Sequence, residues 1–308
     1  MVVVGPVTFA AATLSGLVLG SLFALMAMGL SLIYSTVRVL NFSHGAFFMA
    51  GAFIVWWLNT PYSATYGTTT VVSGLNIPLW VALVPAVIAI FGLGVATQRG
   101  IISPLVRKPG SLLTTLTATL ALAYILESIA TLIFGGYRQQ FSVEIAEGLL
   151  RYGGLTITYA ELVQFGVAVG VLVILHLFLK RARFGIGMRA VAQDMDAAHL
   201  CSINTNTVYL LTFGLGAALA AVAGFLLTNT VFIAPSSGWE PLSIAFIIVV
   251  FGGIGSVGGT IVASYIISVV QQYVAIFLDP HWGLVFAFIL MLLVLVIRPR
   301  GLFGFKET

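Results

Sequence analysis

Charge is what this chain has least of. Of its 308 residues only 7% are Asp, Glu, Lys or Arg, against roughly a quarter in soluble domains, while 60% are hydrophobic and the mean hydropathy is +1.13. That balance excludes a soluble globular protein. The single cysteine, Cys201, excludes an intrachain disulfide. The four histidines, at 44, 176, 199 and 281, fall in different segments without metal-ligand spacing, so neither a metal site nor a clustered catalytic set is expected. No GxxxxGK[ST] occurs, which leaves the chain without an ATP-hydrolysing loop of its own. The net charge of +4 comes from basic residues at the ends of apolar runs, a pattern of membrane flanks and not of nucleic-acid binding.

What remains is apolar sequence in quantity. Runs able to cross a core of ~30 Å lie near 8–34, 41–58, 79–98, 112–134, 160–179, 207–231, 242–258, 260–278 and 283–297. They predict an all-α polytopic bundle of about 8–10 membrane helices, forming one domain over 1–308 with no globular part outside the membrane. No Lys or Arg precedes Arg38, so the first run lacks the basic start of a cleaved signal and is expected to persist. Lys180, Arg181, Arg183 and Arg189 share one loop; Arg298, Arg300 and Lys306 share the tail; Arg99, Arg107 and Lys108 share a third segment. Placing these in the cytoplasm leaves 59–78, 136–158, 232–241 and 279–282 outside, together with the N-terminus.

Two segments interrupt the apolar pattern. Residues 241–278 hold 38 residues without a charge, about 57 Å of helix at 1.5 Å per residue, so the chain must turn inside them. The turn is FGGIGSVGG (251–259), with Gly252, Gly253, Gly255, Ser256, Gly258 and Gly259. An open turn in hydrocarbon leaves backbone groups unpaired. The run is therefore expected either to be buried against protein or to line a pathway, with close helix packing as the other use of its glycines. The second break is Asn41-Phe42-Ser43-His44-Gly45, where Asn41 or Ser43 can cap a helix. Both breaks are expected to enter from the cytoplasmic side and to end in helix N-termini that form a gate, contact with a substrate carboxylate being their other use, with His44 either part of the gate or a hydrogen-bonded structural residue. The similar texture of ALMAMGLSL (24–32) and ALAAVAGFL (218–226) suggests an internal repeat.

Two further features carry polarity. Glu127 lies within the run 112–134 and is either a pathway residue or a hydrogen-bonded packing residue; Glu240 in SSGWEP sits near the outer surface as a pathway-mouth or interfacial residue. The loop 184–206 is too polar for the bilayer. Its helix formers predict one surface helix over Met188–Cys201, with Asn204, Thr205 or Asn206 capping the next span. Such a helix is either a solvated connector or a docking element.

These stretches resemble the permease subunits of ATP-binding-cassette importers for branched-chain amino acids, of the LivH type. The resemblance rests on GLVLGSLFALMAMGLSLIYS (16–35), VLNFSHGAFFMAGAF (39–53), GIGMRAVAQDMDAAHLCSINTN (185–206), FGLGAALAAVAGFLL (213–227), VVFGGIGSVGGTI (249–261) and RPRGLFG (298–304). It implies that Asp194, Asp196, Ala197, Ala198, Ser202, Ile203 and Asn204 belong to an EAA-type segment that docks on an ATPase. Asp196 stands where that motif has Glu, and Ser202 where it has Gly. The resemblance further implies two ATPase subunits that bind ATP and Mg, a second permease subunit, an extracytoplasmic binding protein, a bacterial inner-membrane location and no cofactor held by this chain. Family members also carry urea, short amides and aromatic acids. A secondary transporter is the other class of reading; it needs ion-coupling residues, for which Glu127 and His44 are the only candidates.

Overall fold

The computed structural model describes residues 5–60, 74–106, 111–139, 141, 146, 148–152, 155–228 and 232–304. Most of the 59–78 loop, together with Arg107, Lys108 and Lys306, lies outside them.

Every apolar run becomes a helix. In chain order these are α1 (Pro6–Val37), α2 (Ser43–Asn59), α3 (Leu79–Thr97), α4 (Ser103–Val106), α5 (Ser111–Phe134), α6 (Tyr159–Arg181), α7 (Arg183–Gln193), α8 (Met195–Leu200), α9 (Thr205–Thr228), α10 (Trp239–Gly252), α11 (Val257–Phe277) and α12 (Trp282–Ile297). A π-helical turn, Gln98–Ile102, joins α3 to α4. Among the described residues six helices are long and apolar enough to cross a membrane, while α10 and α12 are shorter apolar helices. Against the all-α expectation, the described residues include one small hairpin, β1 (Leu149–Tyr152) antiparallel to β2 (Leu155–Thr158). It leads into α6 through a capping box, in which Thr158 Oγ1 accepts from Glu161 N at 3.1 Å and Glu161 accepts from Thr158 N at 2.9 Å.

The centre is built on α1 and α9, whose small residues let backbones touch. A Cβ on Gly29 would stand 2.6 Å from the carbonyl oxygen of Gly216, so neither helix admits a larger residue at the crossing. Along the other side of α1 runs α11, with Thr13 hydrogen-bonded to Tyr273 at 2.7 Å near one end and Thr260 to Ser31 at 3.3 Å near the other. Buried Gln164 on α6 donates to the Leu226 carbonyl of α9 at 2.7 Å. The outer faces of α5, α6 and α12 expose large apolar side chains such as Leu132, Ile174 and Val296, as lipid-facing helices do.

One end of the bundle collects Arg38, Arg99, the Lys180–Arg189 group, Arg298 and Arg300; the opposite end holds the hairpin, residues 135–139 and the turn before α12. In that last turn Asp279 accepts from the backbone N–H and ring of His281, and these bonds hold its carboxyl below the usual range. Of the helices formed by the nine apolar runs, α2 and α10 start part-way through the bundle. α2 starts beside the middle of α1, because His44 reaches Met26, and α10 starts beside α2, with Gly238 packed on Gly45.

Candidate translocation and coupling sites

The two short helices begin at the same place. From the end of α1 the chain turns back at Arg38, whose φ of 59° is left-handed, and climbs to Asn41. There Asn41 Oδ1 accepts from Ser43 N at 3.1 Å and from Ser43 Oγ at 2.5 Å; the N-cap position is Phe42, without a side-chain cap of its own. Phe42 N donates to Thr119 Oγ1 of α5 at 3.3 Å. His44 Nε2 donates to the Met26 carbonyl at 3.0 Å, the role open to a ring nitrogen that faces a carbonyl oxygen. All three polar residues are fully buried, yet Asn41 Nδ2 and His44 Nδ1 lack a hydrogen-bond partner among the described residues. Polar atoms held at this depth without partners are costly to keep.

Glu127 joins this junction. Its Oε2 accepts from Trp239 Nε1 in the first turn of α10 at 2.8 Å, and the Trp239 ring lies 5.2 Å from Tyr124 of α5. Phe42, Gly45, Ala123, Glu127, Pro235 and Trp239 enclose a cavity of about 10 Å³, room for about one water. The surfaces of α2, α5 and α10 therefore converge at this cavity, which Asn41, Ser43 and His44 do not line.

The glycine-rich run does not take part in that convergence. It lies at the far end of α10, about 21 Å of helix away, so the expected pairing of NFSHG with FGGIGSVGG is replaced by a pairing of NFSHG with Pro235–Trp239. The glycine run is instead a tight turn at the basic end. Gly253 has φ 100°, Ser256 caps α11 by accepting from Gly259 N at 3.1 Å, and Gly252 packs directly against Gly259. Ile254 and Gly258 are exposed. The tail crosses the turn and satisfies its open carbonyls: Leu302 N donates to Phe251 O at 2.9 Å and Phe303 N to Gly252 O at 3.0 Å. The basic residues missing from 241–278 are supplied there by Arg298 and Arg300 of the covering tail.

The expected single helix over 188–201 is two helices. Asp194, with φ of −152°, ends α7 and caps α8, its Oδ1 accepting from Asp196 N and Ala197 N, both at 2.9 Å. Asp has poor helix propensity and a side chain suited to this cap, so the break falls on it. Ala198 is buried and its carbonyl accepts from Ile203 N at 3.1 Å. Ser202 has φ 61°, the left-handed conformation that favours Gly. Asn204 caps α9 by accepting from Thr207 N at 3.1 Å. Asp196 and Cys201 are exposed, and Leu200, at 89% exposure, is an apolar side chain left without cover on α8. Arg38 Nη2 donates to the Ala192 carbonyl of α7 at 3.3 Å. That bond ties the α7–α8 pair to the segment that climbs to His44.

Sequence reasoning missed Trp239, the tail's role as a cover and the Arg38 link. SSGWEP was visible as a turn, but an external one. Its Gly-Trp pair was the available signal for a helix start packed against another backbone.

The profile of a family described as branched-chain amino acid transport system / permease component matches residues 12–295. The chain belongs to this family. Among its curated relatives are the high-affinity branched-chain amino acid transport system permease proteins BraD of Pseudomonas aeruginosa, 30% identical over 96% of this chain and 95% of that protein, and LivH of Escherichia coli K12, 29% identical over the same shares. LivH of Salmonella typhimurium is also 29% identical over 96% of this chain and 95% of its own length. The chain is thus a multi-pass membrane permease, a member of a family of transport components and not of enzymes.

Proposed function

We propose that the chain is one of two permease subunits of an ATP-binding-cassette importer that moves branched-chain or chemically close amino acids into the cytoplasm. The observation that carries this reading is the family match over 12–295, with relatives named for branched-chain amino acids along nearly their whole length. ATP and Mg are held by two partner ATPases, and substrate arrives from an extracytoplasmic binding protein. The exposed face of α7–α8, with Asp196 and Leu200, is the surface that meets an ATPase, an apolar anchor beside a charge. Closure of the ATPases on ATP moves α7–α8, and the Arg38–Ala192 bond carries that movement to Asn41–Gly45. There the N-termini of α2 and α10 meet, and a shift of one against the other opens or closes the path past Glu127 and Trp239.

The test is charge reversal at the docking face. Asp196→Lys leaves membrane insertion intact and lowers substrate-stimulated ATP hydrolysis by the assembled complex about tenfold or more, since a like-charge contact costs several kcal/mol. Normal stimulated hydrolysis by that variant contradicts the docking assignment.

A further inference from the structure

A second cavity, separate from the junction at Glu127, opens beside the 232–241 segment. Its volume is about 460 Å³, within the range of small-molecule sites. Two opposite charges line it, Arg138 and Glu240. The fold ties their two segments together: Gln139 and Ile233 exchange two backbone hydrogen bonds of 2.7 Å, which pins the residue before Gln139 beside the segment that leads into α10. Glu240 stands in the first turn of α10, where a carboxylate is favoured by the helix dipole. The one ion pair among the described residues is His281 with Asp279, so Arg138 and Glu240 share a cavity without neutralising each other. Phe23, Phe48, Leu227 and Ile244 supply apolar walls, and Ser236 contributes a hydroxyl. Because Trp239 faces the Glu127 cavity and Glu240 this one, the first turn of α10 is the partition between them.

We infer that this cavity is a holding site for a free zwitterionic amino acid with an apolar side chain, Arg138 receiving its carboxylate, Glu240 its ammonium group and the Phe23–Phe48 wall its side chain. A simple anion or cation meets one unfavourable charge here, and a neutral amide leaves both charges without a counterpart. The inference rests on the amino-acid reading above and deepens it: the permease itself recognises the substrate between the binding protein and the junction at Glu127.

The experiment measures equilibrium binding of radiolabelled leucine to the nucleotide-free complex in nanodiscs, with no binding protein present and with isoamylamine and 4-methylpentanoate as competitors lacking the carboxylate and the ammonium group. The wild type binds leucine saturably and more tightly than either competitor. Arg138→Gln weakens leucine about tenfold or more but strengthens isoamylamine, which loses a like charge; Glu240→Gln does the same for leucine but strengthens 4-methylpentanoate, because each change removes one charge-assisted contact to leucine and one repulsion from the competitor. Arg138→Lys recovers part of the affinity. Absence of saturable leucine binding, or binding untouched by both Gln variants, overturns the inference. ATP-driven leucine uptake, measured on the same wild-type complex with its binding protein, separates the two readings. Uptake without binding in the cavity sinks the holding site alone, and failure to transport any amino acid sinks the amino-acid reading with it.

Discussion

Glu127 offers the sharpest perturbation, because its partner is known. Its Oε2 accepts the indole N–H of Trp239 at 2.8 Å across the α5–α10 contact. Glu127→Leu removes the acceptor that the N–H has among the described residues and leaves a polar atom in an apolar setting, at a cost of about 1–3 kcal/mol. Glu127→Gln keeps a carbonyl oxygen of the same reach and costs about 1 kcal/mol at most. At 1.4 kcal/mol per factor of ten, the Leu variant is expected to lose about tenfold in uptake and the Gln variant no more than a few-fold. Trp239→Phe removes the donor, so in that background Glu127→Leu should cost little more. The assay is initial-rate uptake in proteoliposomes, with purified complex yield as the control for assembly. A double variant whose losses simply add refutes the claim that the two residues act through their bond; near-normal uptake with both single changes at Glu127 returns it to a packing role.

Two further predictions concern the basic end. Ser202 occupies a left-handed position with φ 61°, so Ser202→Gly should be neutral or slightly stabilising, the relief of ~1 kcal/mol partly offset by glycine's greater unfolded freedom; Ser202→Val should lower the unfolding temperature by a few degrees, read by thermal unfolding in detergent. Gly253 combines φ 100° with a Cβ position 2.5 Å from the Gly304 backbone nitrogen, so Gly253→Leu should dislodge the tail and abolish transport, whereas Gly258→Ala, which meets no atom within 4 Å, should transport normally.

The helices themselves were legible because a bilayer demands long apolar segments with internally satisfied backbone, and the nine runs map onto nine helices with ends shifted by a few residues. The turn inside 241–278 was equally readable from length alone. Partnership was not. Nothing local in NFSHG says whether it meets the glycine run or Pro235–Trp239, since that depends on where α10 begins: the run near 242–258 concealed a start at Trp239 and a stop at Gly252. The break at Asp194 was hidden for a related reason, because Met188–Cys201 is rich in helix formers and only the cap geometry shows that Asp194 serves two helices. The glycine that the family motif has in place of Ser202 was the available signal for the positive φ found there.

The account stands or falls on ATP-driven amino-acid import by the assembled transporter. The direct measurement is accumulation of radiolabelled leucine in proteoliposomes that contain this chain with the proposed second permease and two ATPases, with the proposed binding protein supplied outside and ATP within. The account predicts accumulation against a gradient that requires ATP and falls about tenfold with Asp196→Lys. Leucine movement that proceeds without ATP and follows an imposed ion gradient, or an absence of leucine uptake from an ATP-hydrolysing complex, contradicts it.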